Sequence, residues 1–191
     1  MNEIVRKFFD ERAEKWNSLE PKTKEELYAF LKEHLPLKRG MKTLDVGCGT
    51  GVISEQLYEL TGERVTAIDL SPTMIEVAKR THGEEKIDFL CADFAEMTGN
   101  FDFVVCFNAY PHFDADAFAE KANELVNEGG YLAILHNMSR KRLDMHHEAV
   151  ASRVSRRLSP AAEEAKRFSA FTAEKTVDND EMFLILLKKH G

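Results

Sequence analysis

The chain has 191 residues, enough for one domain with a complete hydrophobic core. Its composition, 43% hydrophobic and 31% charged, is that of an ordinary globular protein. The formal net charge of -7 disfavours a general nucleic-acid binder, which would usually be basic, and no apolar run approaches the roughly 20 residues of a membrane-spanning helix.

The first residues mix charges with apolar side chains and lack the apolar core of a signal peptide. The cysteines Cys48, Cys91 and Cys106 lie far apart, so they indicate neither a zinc site nor a disulfide framework. We therefore expect a cytoplasmic protein that works in a reducing compartment.

The chain begins with two predicted helices. Residues 2–17 carry apolar side chains at helical spacing. Residues 22–34 show a similar pattern, with Pro21 suited to the first turn. After them the pattern changes to strand-like runs that alternate with helix-like ones.

These alternating runs predict five strands, which are Thr43–Val46, Arg64–Asp69, Ile87–Cys91, Phe101–Phe107 and Tyr131–His136. The helices predicted between them are Val52–Glu59, Thr73–Arg80 and Ala115–Val126. Nearly continuous apolar strands separated by helices indicate a parallel sheet that is covered on both faces.

The last part of the chain has a different pattern. Residues 138–168 predict a helical insertion, in which Lys and Arg outnumber Asp and Glu. This excess predicts either a solvated helix face or a surface that attracts an anionic substrate. Phe171–Val177 and Met182–Lys188 are strand-like runs that flank a short turn sequence, so they predict a hairpin.

The turn after the first strand is unusually rich in glycine. In "LDVGCGTGVISEQL", Gly47, Gly49 and Gly51 follow the strand and precede a helix. Such a turn lets a ligand approach bare backbone near the positive end of a helix. The G-x-G-x-G spacing is tighter than the dinucleotide pattern G-x-G-x-x-G. The turn also lacks the Lys and Ser/Thr that a P-loop uses to bind phosphate. We expect a ligand whose body lies across the turn.

Two acids follow the next strands. Asp69 ends the second strand, where a carboxylate can accept both hydroxyls of a ribose. Asp93 comes just after the third strand and can accept from the exocyclic amine of an adenine. The glycines and both acids lie at the carboxyl edge of consecutive parallel strands, where open α/β sheets bind ligands.

Four motifs together resemble the class I S-adenosylmethionine-dependent methyltransferases of small molecules: "LDVGCGTG", "AIDLSPTMIEVAK", "CADF" and "FDFVVCFNAYPHF". The resemblance covers about residues 40–137 closely. The terminal hairpin is similar to the last two strands of that family, and "FFDERAEKW" resembles its N-terminal lid. The motifs are specific as a set, since a glycine turn alone also occurs in NAD enzymes.

The resemblance implies an α/β, Rossmann-like sheet of seven mostly parallel strands in the order 3-2-1-4-5-7-6, with strand 7 antiparallel and helices on both faces. One methyltransferase domain would then fill residues 1–191. Its parts would be a helical cap (1–36), a cofactor-binding core (40–137), a helical lid (138–168) and a terminal hairpin (169–191).

The resemblance also implies the cofactor S-adenosyl-L-methionine and a set of residues that bind it. In this family the acid at position 45 contacts the amino group of the cofactor, often through water. Met74 could pack on the adenine or simply belong to the core. The predicted cofactor residues are Asp45, Gly47, Cys48, Gly49, Gly51, Asp69, Leu70, Met74, Asp93, Phe94 and Asn108.

Catalytic and substrate residues are predicted above the same edge. His136 and His112 follow neighbouring strands, so either could be a general base. Each could equally be a structural histidine. We expect no metal, because adjacent histidines on one helix diverge by about 100°. The predicted substrate contacts are Tyr110, His146, His147 and Trp16.

The sequence therefore predicts methyl transfer to a small-molecule nucleophile, with an O, N or S acceptor unresolved. We expect no nucleic-acid or membrane partner, and a monomer or homodimer. If the basic insertion faces the substrate, the substrate is expected to be anionic. The alternatives are an RNA or protein methyltransferase, a cofactor-binding regulator without catalysis and, less compatible with the glycine spacing, a nicotinamide dehydrogenase. Turnover would separate an enzyme from the regulator.

Overall fold

A computed structural model describes residues 3–16, 22–143 and 154–191. Its seven strands are β1 (Thr43–Val46), β2 (Val65–Asp69), β3 (Ile87–Cys91), β4 (Phe101–Phe107), β5 (Val126–His136), β6 (Phe171–Asp178) and β7 (Phe183–Lys189). The α-helices are α1 (Glu3–Asp10), α2 (Ala13–Trp16), α3 (Lys24–His34), α4 (Ser54–Thr61), α5 (Pro72–His82), α6 (Ala115–Leu125) and α7 (Ala161–Ala165).

The strands form one sheet in the order β3-β2-β1-β4-β5-β7-β6. The first five strands are parallel, while β7 runs antiparallel to both β5 and β6. The predicted Rossmann-like topology is therefore confirmed. The order reverses between β1 and β4, and a ligand crevice is expected at the carboxyl ends of the strands at such a point.

Helices cover both faces of the sheet. On one face, buried side chains of α3, α4 and α5 pack against the sheet. On the other face, α6, α7 and the return of the insertion pack around a cluster of aromatic rings that includes Phe118 and Phe168. Burial on both faces explains the nearly continuous apolar pattern of the central strands. None of the described helices is both long and apolar enough to cross a membrane.

Several boundaries differ from the sequence prediction, and three of them have a clear structural basis. The predicted helix over residues 2–17 is divided by a turn at residues 11–12, because Ala13 and Trp16 turn to pack beside Met74 of α5. Residues 51–53 are a turn, so α4 begins at Ser54. β5 begins at Val126, since a register shift in its pairing with β4 accommodates the glycines that were predicted to precede the strand.

Candidate functional site

A cavity of about 410 Å³ lies at the carboxyl edge of the sheet. Its floor is formed by the turns after β1, β2, β3 and β4, and helices α1 and α2 form a wall. The cavity is also lined by residues 137–138, Leu143 and residues 154–155. Both described parts of the insertion therefore reach it. The topology thus gathers at one place the segments that the motifs singled out.

The glycine turn forms part of this floor. Gly47 and Gly49 have positive φ values of 68° and 54°, which side chains rarely adopt. A Cβ on Gly47 would lie 2.7 Å from the Cβ of Ala109, so the turn after β4 packs directly on bare backbone. Cys48 lines the cavity, but burial raises the pKa of its thiol well above the usual value. It therefore remains protonated and is a poor nucleophile.

Gly51, the third predicted glycine, is not among the described residues that line the cavity, and its contact with the cofactor stays a prediction. A Cβ there would lie 2.9 Å from atoms of both His82 and Phe89. The glycine therefore makes room for side chains of α5 and β3 behind the turn. Gly51 therefore serves packing, and its φ of 80° is one that other residues rarely adopt.

Asp45 lies at the base of the turn and is fully buried. Its Oδ2 accepts a hydrogen bond from the Ser54 hydroxyl at 2.7 Å. Its Oδ1 has no hydrogen-bond partner among the described residues. Burial raises the pKa of Asp45 to about 7, and the nearby charge of Asp69 acts in the same direction. A cationic group in the cavity could therefore stabilise the carboxylate.

Asp69 organises the backbone of two turns. Its Oδ2 accepts from the Gly49 amide and its Oδ1 from the Ser71 amide, each at 2.9 Å. It also lines the cavity, where each oxygen retains a lone pair for a further donor. Burial raises the pKa of Asp69, while these hydrogen bonds oppose the increase.

The remaining predicted cofactor residues surround the same space. Leu70, Met74, Asp93 and Phe94 all line the cavity. Met74 of α5 is 1% exposed and packs with Trp16 and with a buried side chain of its own helix. It therefore belongs to the core as well as to the wall. Asp93 Oδ1 accepts from the Ala95 amide at 3.0 Å and thereby begins a short 3-10 helix.

Asn108 follows β4 in a left-handed conformation with a φ of 53°, which is rare for a residue with a side chain. Its Nδ2 donates to Asn137 Oδ1 at 2.9 Å, and the Asn137 amide donates to Asn108 Oδ1 at 3.2 Å. This reciprocal pair joins the ends of β4 and β5. Both residues line the cavity, and the sequence prediction missed Asn137.

His112 lies on the cavity wall, in a 3-10 turn after β4. Its ring packs edge-on against Phe9 of α1, with centroids 4.9 Å apart. Its Nδ1 is 2.8 Å from the carbonyl oxygen of Val154. Because a carbonyl only accepts, Nδ1 carries the proton, and Nε2 holds the lone pair when the ring is neutral.

Two predicted site residues are not among the described residues that line the cavity. His136 is fully buried and packs near Phe183 of β7, so its catalytic role stays a prediction. Its neighbour Asn137 faces the cavity instead. Tyr110 is also fully buried, with its hydroxyl 3.3 Å from Glu164. It supports the turn that carries His112 and does not reach the space predicted for a substrate.

Trp16, which was predicted as a substrate contact, lines the cavity, and its Nε1 would lie 3.5 Å from a Cβ on Gly49. The sequence prediction did not select Phe8, Phe9 or Arg12, which join it on the same wall. The Arg12 guanidinium lies over the Phe8 ring, 3.8 Å from the centroid. The motif "FFDERAEKW" already pointed to this segment, although not to the direction of each side chain.

The predicted substrate residues His146 and His147 lie outside the described residues. Several cations of the described insertion are paired with acids: Arg140 with Asp178, Arg156 with Glu164, and Arg167 with Asp116. The permanently charged cations among the described wall residues are Arg6 and Arg12, from the N-terminal cap. No group of three or more potential metal ligands occurs within residues 3–16, 22–143 and 154–191.

Comparison with known proteins agrees with this geometry. Residues 43–130 match the family model described as a methyltransferase domain. The ubiquinone biosynthesis O-methyltransferase of Xanthomonas oryzae pv. oryzae (strain PXO99A) is 41% identical over 101 residues, which are 49% of this chain and 41% of that protein. The match thus spans less than half the length of that curated relative.

Two solved structures resemble the whole chain. One is a chain from the complex between the Haloferax volcanii Trm112 methyltransferase activator and a methyltransferase, with a TM-score of 0.81 and 18% identity over 98% of both chains. The other is from the DhpI–SAH complex, with a TM-score of 0.75, 21% identity, and coverage of 98% of this chain and 96% of that one. The resemblance to methyltransferases drawn from the motifs is confirmed, and the fold is theirs.

Proposed function

We propose that this protein transfers a methyl group from S-adenosyl-L-methionine to a small-molecule nucleophile. The observation that carries the proposal is the buried Oδ1 of Asp45, which lines the cavity and has no hydrogen-bond partner among the described residues. A buried carboxylate oxygen normally requires a donor. The cationic amino group of the cofactor would supply one.

The other residues of the floor fit the same cofactor. Asp69 would accept the ribose hydroxyls, Asp93 the adenine amine, and Gly47 and Gly49 would leave room for the body of the molecule. Leu70, Met74 and Phe94 would enclose the adenine with apolar surface. The bound cofactor supplies a methyl group that its positive sulfur already activates.

The protein would then hold the acceptor close to that methyl group and exclude water. The aromatic wall formed by Phe8, Phe9 and Trp16 can exclude water from one side. His112 Nε2 can accept a proton from a hydroxyl or protonated amine, because Nδ1 is already bonded to Val154. A thiolate acceptor would need no such base.

The cavity also supports an apolar acceptor with an anionic group. Arg12 is stacked on Phe8, so its planar guanidinium is held at the wall. Its ion-pair partner Glu11 is 3.6 Å away and 75% exposed, so this pair is weak. A carboxylate or phosphate on the acceptor could accept two hydrogen bonds from such a fork. The anion contact would then lie on the N-terminal cap, whereas the sequence pattern predicted that the basic insertion would provide it.

The curated relative is named an O-methyltransferase, so hydroxyl and carboxyl acceptors are the first class to test. We would incubate the protein with cofactor labelled at its methyl group and with phenols, carboxylates, amines and thiols. Label should appear in an acceptor. Calorimetry should show that S-adenosylmethionine and S-adenosylhomocysteine bind and that NAD does not.

Tight binding of the cofactor without transfer to any acceptor would instead favour a cofactor-binding regulator. Labelling of RNA or protein would favour the macromolecular alternative. Preferential binding of NAD would refute the proposal altogether.

A further inference from the structure

Glu164 of α7 is a fully buried carboxylate that holds together the return of the insertion. Its Oε1 accepts from Arg156 Nη1 at 2.8 Å and from the Ser159 amide at 2.9 Å. Its Oε2 accepts from Arg156 Nη2 and from Arg167 Nε, both at 3.2 Å. Burial tends to raise the pKa of Glu164, but Arg156 and the Ser159 amide more than offset this effect. The group is therefore a satisfied buried anion.

Through Arg156, this carboxylate is joined to the turn after β4. The Arg156 amide donates to the carbonyl of Pro111 at 2.9 Å. The Arg156 guanidinium lies 4.7 Å from the centroid of the Tyr110 ring, and the Tyr110 hydroxyl donates to Glu164 Oε2 at 3.3 Å. Backbone and side chain thus hold residues 154–159 against residues 110–112.

The same contact determines how His112 is held. Val154 lies two residues before Arg156, and its carbonyl accepts the Nδ1 proton of His112 at 2.8 Å. Which ring nitrogen of a histidine carries the proton is set by the hydrogen bond that the other nitrogen makes. A displacement of residues 154–156 would remove this acceptor and release the ring.

We infer that Glu164 is a positioning residue for His112: by binding Arg156 it keeps the Val154 carbonyl on Nδ1, which leaves the lone pair of the neutral ring on Nε2. The inference rests on the proposed function for the use of this nitrogen. The tautomer itself does not depend on it, and neither the motifs nor the sequence comparison singled out Glu164, which lies outside residues 43–130.

The test compares Glu164→Gln with its matched control Glu163→Gln. The change at Glu164 preserves size but replaces one oxygen with a donor among groups that all donate, so it should weaken the cluster. Glu163 is exposed and pairs with Lys166. It is a suitable control because its carboxylate neighbours Glu164 in sequence but pairs with Lys166 and not with Arg156. The full chain labelled with ¹⁵N, without added ligand, would be studied by NMR of the imidazole nitrogens, and His112→Gln would assign the His112 signals.

The wild type and Glu163→Gln should show a neutral His112 protonated at Nδ1, while Glu164→Gln should show a mixture of both tautomers. With an acceptor from the labelling screen, kcat of Glu164→Gln should fall about tenfold while cofactor affinity changes less than about twofold. Arg156→Lys, which keeps the charge and loses the fork, should show the same spectral change if Glu164→Gln fails to fold.

An unchanged His112 tautomer in a folded Glu164→Gln or Arg156→Lys protein would overturn the inference. So would unfolding of both variants at a temperature where Glu163→Gln is folded, because the cluster would then be purely structural. A changed tautomer without loss of methyl transfer would leave the positioning intact and refute only the role of His112 as a base.

Discussion

The Ser54 hydroxyl donates to Asp45 Oδ2 at 2.7 Å, and both residues are completely buried. One serine only partly compensates for the burial of a carboxylate, so the pKa of Asp45 rises to about 7. The protein without cofactor therefore holds this group close to its midpoint at neutral pH. A ligand that brings a positive charge next to Oδ1 would favour the ionised form.

This relationship predicts a pH-dependent affinity for the cofactor. Below about pH 7 the protonated Asp45 must release its proton when the cationic cofactor binds, so affinity should fall by up to about tenfold per pH unit. Above pH 7 the affinity should become constant. Calorimetry between pH 5.5 and 8.5, in buffers of different ionisation enthalpy, would measure both the affinity and the released proton. An affinity that stays flat across this range would contradict the assignment.

Asp45→Asn should separate binding from stability. Because the pKa of Asp45 is raised in the folded protein, the stabilisation from its protonation is complete below about pH 4, the pKa of an unfolded Asp. This contribution is lost as the pH rises through about 7, the pKa in the folded protein. The amide removes the buried charge, so thermal unfolding at pH 8 should occur at the same or a higher temperature than in the wild type. Its cofactor affinity should nevertheless fall at least about tenfold. Retained affinity would show that Oδ1 does not bind the cofactor.

Asp69→Ala should weaken cofactor binding at least about tenfold, because hydrogen bonds to a charged group contribute about 1.5–3 kcal/mol each. It should also lower stability, since the amides of Gly49 and Ser71 lose their acceptor. Asp88→Ala on β3 is a suitable control because its carboxylate is half-buried and pairs with Arg64. Calorimetry with S-adenosylhomocysteine would compare them, and equal affinities would refute the proposed ribose contact.

The two histidines should behave differently when each is replaced by Gln. His112→Gln should lower kcat by about 10²–10⁴-fold if the acceptor needs a base, with little change in cofactor affinity and with loss of the acidic limb of the pH–rate profile. His136→Gln should mainly lower the unfolding temperature, because His136 is buried beside Phe183. Wild-type rates in His112→Gln would indicate a soft nucleophile such as a thiolate.

Arg12→Ala should reduce the use of anionic acceptors. The fork held over Phe8 would bind a carboxylate with two hydrogen bonds, so its loss should raise KM for an aromatic carboxylate about tenfold and leave a neutral amide analogue unchanged. Arg12→Lys should recover part of the loss. Arg80→Ala, at an exposed ion pair with Glu14, is the control. Equal effects of Arg12→Ala on charged and neutral acceptors would rule out this contact.

Gly51→Ala should destabilise the fold more than Gly40→Ala. Both glycines have similar φ values, 80° and 86°, so both variants incur a backbone strain of about 1–2 kcal/mol. A Cβ at position 40 meets nothing within 4 Å, whereas one at position 51 approaches Phe89 and His82 to 2.9 Å. The difference in free energy of unfolding, about 1–3 kcal/mol by denaturation, measures the overpacking alone. Equal losses would show that the neighbours relax freely.

The sheet and the chemical character of its carboxyl edge follow from local sequence patterns. Apolar strands alternating with helices required a parallel sheet, and glycines and acids directly after those strands had to meet at one edge. That is why Asp45, Asp69 and Asp93, which were predicted as cofactor residues, all line one cavity. This information is local, since each motif lies within a few residues of the strand that places it.

Which side chains reach the cavity depends on long-range packing that the sequence patterns do not encode. Successive side chains at a strand end point to opposite faces, so Asn137 lines the cavity while His136 enters the core. Gly51 and Tyr110 belong to the same motifs as cavity residues but serve packing, because partners distant in sequence approach them. The contact of Val154 with His112 likewise joins residues 42 positions apart, and no local periodicity encodes such a distance.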